Sequence, residues 1–120
     1  MIEVDNIKKI IKITRGDSES LVLSAKDDED NDYQPVQGDK LKFAVAVSWG
    51  KDPLFEIENI MNSSAETFWT INIEPHHTAN LRFNDYSFDV QLTNATGPHT
   101  IIGKTDTVNP IFRVWGEVAR

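Results

Sequence analysis

The chain has no cysteine among its 120 residues, which excludes disulfides and thiolate metal centres. Folding a chain of this length hides roughly two-thirds of its unfolded surface, enough for one core without covalent staples. Long apolar runs are also missing, and every hydrophobic stretch falls far short of the ~18 residues a membrane helix needs. Residues 1–14 alternate charge with aliphatic side chains instead of forming the apolar segment of a secretory signal. The sequence therefore predicts no membrane partner and no export signal of its own. Cationic residues are scarce, 12 against 19 acidic ones, for a formal charge of -7. A nucleic-acid groove neutralises phosphates with clustered Lys and Arg, so this balance argues against one and against an anionic lipid surface. Net charge of this size keeps a domain soluble. The six glycines are all isolated, so there is no glycine-rich phosphate loop.

What the chain does have is a two-residue rhythm. Leu21, Leu23 and Ala25 form one apolar set, and Leu41, Phe43, Val45 and Val47 form another that alternates with Lys40, Lys42, Ala44 and Ala46. Phe55 and Ile57 alternate with Glu56 and Glu58. Trp69, Ile71 and Ile73 alternate with Thr70 and Asn72. Tyr86, Phe88, Val90 and Leu92 alternate with Ser87, Asp89, Gln91 and Thr93, and Phe112 and Val114 flank Arg113. Period two is the signature of strands with one buried face. Turn signals separate the runs at Arg15-Gly16-Asp17-Ser18, the acidic stretch 27–35, Gly38-Asp39, 49–53, 62–66, 94–98 and Asn109-Pro110. One segment reads as helical, Glu74-Pro75-His76-His77-Thr78-Ala79-Asn80-Leu81, and is expected to make a single turn crossing between sheets. The prediction is an all-β, immunoglobulin-like antiparallel sandwich of about seven to eight strands with one short helical turn. An N-terminal arm would occupy residues 1–9 and one domain residues 10–120.

Candidate chemistry is thin. Arg15-Gly16-Asp17 is the tripeptide integrins read, but Gly and Asp are also what a tight turn wants, Gly for positive φ and Asp for a bond to nearby backbone. The turn reading is taken. Asp28, Asp30 and Asp32 have calcium-loop spacing, yet the sixth position is Tyr33 rather than Gly and the twelfth is Asp39 rather than Glu. Adjacent His76 and His77 are expected to diverge, and a helical zinc pair needs histidines four apart, so no metal or other cofactor is predicted. Ser63 and Ser64 lack a glycine elbow, and none of the paired carboxylates has an apolar setting that would raise its pKa. No catalytic residue is expected. The sequons Asn62-Ser63-Ser64 and Asn94-Ala95-Thr96 are expected to go unused. Phe68 and Trp115 fall out of phase with their inward neighbours, so both should point outward, as interface residues or under a covering segment.

Tyr86 carries the most specific signal. The stretch from Leu81 through Asp85 into Tyr86-Ser87-Phe88-Asp89-Val90 resembles the tyrosine corner of immunoglobulin-like domains, where a Tyr opening a late strand bonds back to upstream backbone. Phe88 takes the place of the second cysteine of antibody domains, and Asn84 is the candidate for the positive φ of the turn.

The same residues carry a family resemblance. The turn Arg15-Gly16-Asp17-Ser18, Leu21-Val22-Leu23, Leu41-Lys42-Phe43-Ala44-Val45, the Pro75 helical turn, Tyr86-Ser87-Phe88-Asp89-Val90-Gln91-Leu92 and Ile101-Ile102-Gly103 follow in order. Over residues 10–120 this resembles the small immunoglobulin-like structural domains of phage tail and baseplate proteins, similar to the N-terminal domain of the baseplate upper protein. His76-His77 replace acidic residues usual there, Asn84 replaces a common glycine, and 104–110 is longer. The resemblance implies a non-enzymatic structural role in a phage or prophage virion, made in the bacterial host cytoplasm. Its partners would be other tail or baseplate proteins or copies of itself, in a homo-oligomeric assembly. The alternative is a stand-alone sugar- or peptide-binding sandwich.

Overall fold

The structure is a computed structural model and describes residues 2–5, 9–24, 33–61, 68–102 and 109–116. The predicted acidic loop 27–32, Ala25 and the Asn62-Ser63-Ser64 sequon lie outside the described residues. Nine strands and one helical turn follow one another: β1 Ile2–Asp5, β2 Ile10–Thr14, β3 Glu19–Leu23, β4 Lys40–Ala46, β5 Pro53–Ile60, β6 Trp69–Ile73, α1 Pro75–Thr78, β7 Asn84–Asn94, β8 Gly97–Ile102 and β9 Ile111–Trp115.

Two sheets form. The larger has the order β1-β2-β9-β7-β4-β5, with β8 also on β7, and the smaller is β3-β6. Pairing of β4, β7 and β9 in one sheet and β3 with β6 in the other is the immunoglobulin-like arrangement. Alternation decides what lies between them. Leu41, Phe43 and Val45 of β4 and Tyr86, Phe88, Val90 and Leu92 of β7 meet Trp69, Ile71 and Ile73 of β6 and Leu21 of β3 in one core, completed by Ile11, Ile13, Phe112 and Val114. At its centre Phe43 lies 5.5 Å from Phe88 and 5.9 Å edge-on to Phe112, between ring centroids. All three rings project into the core from strands of the larger sheet, β4, β7 and β9.

The structure departs from the expectation at four points. Residues 1–9 are not simply an arm, because β1 pairs antiparallel with β2, Ile2 opposite Ile13 and Asp5 opposite Ile10. The sandwich is not purely antiparallel, since β2 runs parallel to β9, Ile10 opposite Ile111 and Thr14 opposite Trp115. The strands exceed eight because the last antibody-type strand is broken in two. β9 pairs with the start of β7 up to Ser87, and β8 with its end from Val90. Val47, grouped with the inward set, is exposed because β4 ends at Ala46.

Candidate functional site

Of the two ends of the sandwich, the one holding the crossover to β7 collects most of the residues singled out in the sequence. Pro75 opens α1, where its missing N–H costs nothing. The Glu74 N–H donates to Nδ1 of His77 at 2.8 Å, fixing that imidazole as an acceptor. His77 also stacks on Phe55 with ring centroids 5.0 Å apart. Burial, then the neighbouring His76, holds its pKa below the ordinary histidine range. The two imidazoles do not diverge as expected. Their centroids are 4.1 Å apart, because His77 is drawn back by its bond to the cap. Among the described residues no cluster of three potential ligands exists for a metal ion.

Tyr86 behaves as a corner tyrosine. It is buried, and its hydroxyl donates to the Arg82 carbonyl at 2.9 Å. Phe88, two residues on, is in the core. Asn84 does not supply a positive φ. It is already in extended β7, opposite Val114, and the only described non-glycine residue with positive φ is Lys9. The reversal is absorbed upstream, by α1 and the segment joining it to β7.

The Arg15-Gly16-Asp17 turn is bound into the same corner. Gly16 has φ 82°, the left-handed conformation the sequence called for. Its N–H donates to Oγ1 of Thr78 at 2.8 Å, and Thr78 is fully buried. The Arg15 N–H donates to the Trp115 carbonyl at 2.7 Å, and the Asp17 N–H to that of Thr14 at 3.2 Å. The Arg15 guanidinium lies over the Phe83 ring, 4.4 Å from its centroid. A tripeptide held at this many points is a structural clasp between β2, β9 and the corner. Thr78 and Phe83 were not singled out from the sequence. Thr78 reads there as one polar residue in a helical turn, and Phe83 as part of the approach to Tyr86.

Phe68 and Trp115 are both exposed, as predicted, but they do not share a surface. Phe68 precedes β6 at the end where Trp69 faces Leu23, whereas Trp115 closes β9 beside Arg15 at the other end. Phe83, 58% exposed, packs so closely on Gly116, the residue after Trp115, that a Cβ there would run into its ring. Lys12 lies 5.8 Å from the Trp115 ring centroid. At this end of β9, Phe83 packs on Gly116 with Arg15 over its ring, and Lys12 lies by the exposed Trp115. Asp85 accepts two bonds from Arg113, at 2.6 and 3.0 Å, which hold its carboxyl below the usual carboxylate range.

At the opposite end, Asp39 is buried and its Oδ2 accepts from the Tyr33 hydroxyl at 2.7 Å and the Val36 N–H at 2.9 Å. That bond to Asp39, then burial, raises the Tyr33 pKa. The Asn94 side chain of the second sequon is taken up in shaping the β7–β8 turn, its Oδ1 accepting from the Thr96 N–H and hydroxyl at 2.9 and 2.7 Å.

The outer face of the large sheet holds a hollow, floored by Ala44 and Ala46 and walled by Trp49, Pro53, Ser87 and Asp89. Here the sequence expectation about carboxylates fails, because burial pushes the Asp89 carboxyl above its ordinary range, with Glu56 adding to the effect and Lys42 opposing it. No family model matches the chain, and no curated protein or solved structure matches it.

Proposed function

We propose that the chain is a non-enzymatic assembly domain of a phage or prophage tail, close to the baseplate. It acts through protein–protein contacts with other tail proteins or copies of itself, and is made in the bacterial cytoplasm and carried in the virion. The tail assignment comes from the sequence resemblance. The contact role is supported by two exposed aromatics, Trp115 at the end of β9 and Phe83 packed on Gly116 just after it. Aromatic side chains pre-set by packing give contact area at little cost in ordering, and aromatic residues are enriched at interface centres. Weak contacts of this size gain strength when many copies are held in a ring or fibre.

Light scattering across a concentration series tests this reading. Association that rises with concentration is expected, and Phe83→Ser with Trp115→Ser should abolish it while leaving the far-ultraviolet dichroism unchanged. A strict monomer at the highest soluble concentration overturns it, as does association indifferent to both substitutions. The alternative of a ligand-binding sandwich has one observation in its favour, the hollow beside Asp89.

A further inference from the structure

That hollow sits where the large sheet is interrupted. β7 pairs with β9 as far as Ser87 and with β8 from Val90 onward, so Phe88 and Asp89 fall between the two halves of the broken strand. On its other side β7 pairs with β4, and the register places Asp89 opposite Ala44, which is itself opposite Glu56 of β5. Strands lie about 4.8 Å apart, so the backbones of the two acidic residues are ~10 Å apart with only a methyl group between them. In the next row Ser87, Ala46 and Pro53 repeat the arrangement of small side chains. The wall is Trp49, whose indole N–H donates to Asn109 Oδ1 at 3.0 Å. Its turn is closed by the Lys51 N–H on the Ser48 carbonyl at 3.2 Å and by Gly50 at φ 81°. The aromatic face is thus fixed before anything binds.

The charges are unevenly served. Lys42 pairs with Glu56 at 3.3 Å. Among the described residues no hydrogen bond or ion pair reaches the half-buried Asp89 carboxylate. An arriving cation would therefore gain a carboxylate that no hydrogen bond or ion pair among the described residues engages, beside an indole ring. The hollow holds about 80 Å³ and is open on one side. That is well below the ~300–1,000 Å³ of pockets that bury a small molecule on most sides, and it suits a single inserted group.

We propose that this hollow, between Asp89 and the Trp49 ring, is a socket for an arginine side chain carried by a partner protein. A guanidinium is planar and weakly hydrated, so it can bond a carboxylate through two N–H groups while lying against an indole face. A lysine ammonium is more strongly hydrated and offers no such plane. The overall negative charge steers a basic segment toward this face. Lys51 also lines the hollow, while Lys42 is the cation whose charge acts on Asp89.

The proposal rests on the contact role above, and it is tested apart from it. Nα-acetyl-arginine methylamide is titrated into the ¹⁵N-labelled chain. Saturable shifts are expected at the Trp49 indole N–H and at the amides of Gly50, Ser87 and Asp89, with half-saturation at about 1 mM or above for a lone side chain. The citrulline counterpart, and the arginine probe on Asp89→Asn, should bind at least about fivefold more weakly. Lys51→Ala should bind at least as tightly as the parent chain. Absence of saturable shifts up to about 50 mM, equal binding of citrulline, or undiminished binding by Asp89→Asn overturns the socket. Glucose or N-acetylglucosamine shifting the same set more strongly than arginine also overturns it, in favour of a saccharide site. An empty socket in an associating chain removes this inference alone, whereas a filled socket in a strict monomer removes only association through Phe83 and Trp115.

Discussion

Replacing Tyr86 by Phe deletes one oxygen and leaves the ring in place. The ring is 7% exposed, and the hydroxyl donates to the Arg82 carbonyl at 2.9 Å. A neutral hydrogen bond is worth ~0.5–1.5 kcal/mol net, and a buried carbonyl left unmatched costs ~1–3 kcal/mol. The Arg82 residue is exposed, so water can reach the orphaned carbonyl and the lower range applies. The expected loss is about 1 kcal/mol. With an unfolding entropy of ~2.1 cal/mol/K per residue, that lowers Tm by about 4 °C for a chain of this length. Urea unfolding followed by tryptophan fluorescence, with calorimetry on the same samples, measures both. The midpoint should fall with the slope unchanged, since the surface exposed on unfolding is the same. A change below about 0.3 kcal/mol would refute the reasoning. It would mean that the phenol exchanges its partner for water freely and that the corner is held by packing alone.

Other expectations follow from the same end of the molecule and from the outer face. Thr78→Val keeps the buried shape but leaves the Gly16 N–H without its 2.8 Å acceptor, so unfolding free energy should fall by about 1–3 kcal/mol. An unchanged urea midpoint would detach the Arg15-Gly16-Asp17 turn from the corner. The two carboxylates on β7 should respond to acid with opposite signs. Asp85, lowered by its bonds from Arg113, contributes stability that is full above the unfolded pKa of roughly 4 and is lost as pH falls through its lower folded value. Asp85→Asn should therefore destabilise at neutral pH and become neutral in strong acid. Asp89, raised by burial, is a liability above its folded pKa that acid relieves, so Asp89→Asn should stabilise at neutral pH and lose that gain as pH falls toward about 4. Unfolding curves at a series of pH values decide both, and parallel behaviour of the two variants would contradict the assignment.

The sequence made some elements legible because burial imposes a strict period. In Trp69-Thr70-Ile71-Asn72-Ile73 every second residue is buried, as in β4 and β7, so the facing direction of each strand could be read without knowing its neighbours. The corner was legible because a tyrosine opening an apolar alternation has few other uses. The environment of Asp89 was not legible. In its own strand it is an ordinary outward residue, and only the register that sets Ala44 beside it leaves it half-buried with no described bonding partner. His77 was misread for a similar reason. Chain neighbours diverge on most backbones, but a bond to the Glu74 N–H outweighs that tendency here.

By itself, then, the order of residues determined the all-β class, the inward and outward faces, the glycine at the first turn and the tyrosine clasp. These depend on side-chain polarity and local backbone preference, which act within a few residues. Only the tertiary structure decided that β2 would lie parallel to β9, that the last strand would break across β7, that Thr78 would receive the Gly16 N–H, and that Phe83 would pack on Gly116. Each of these joins segments far apart in the chain. Their pairing is set by how the whole core closes, and no local pattern encodes that choice.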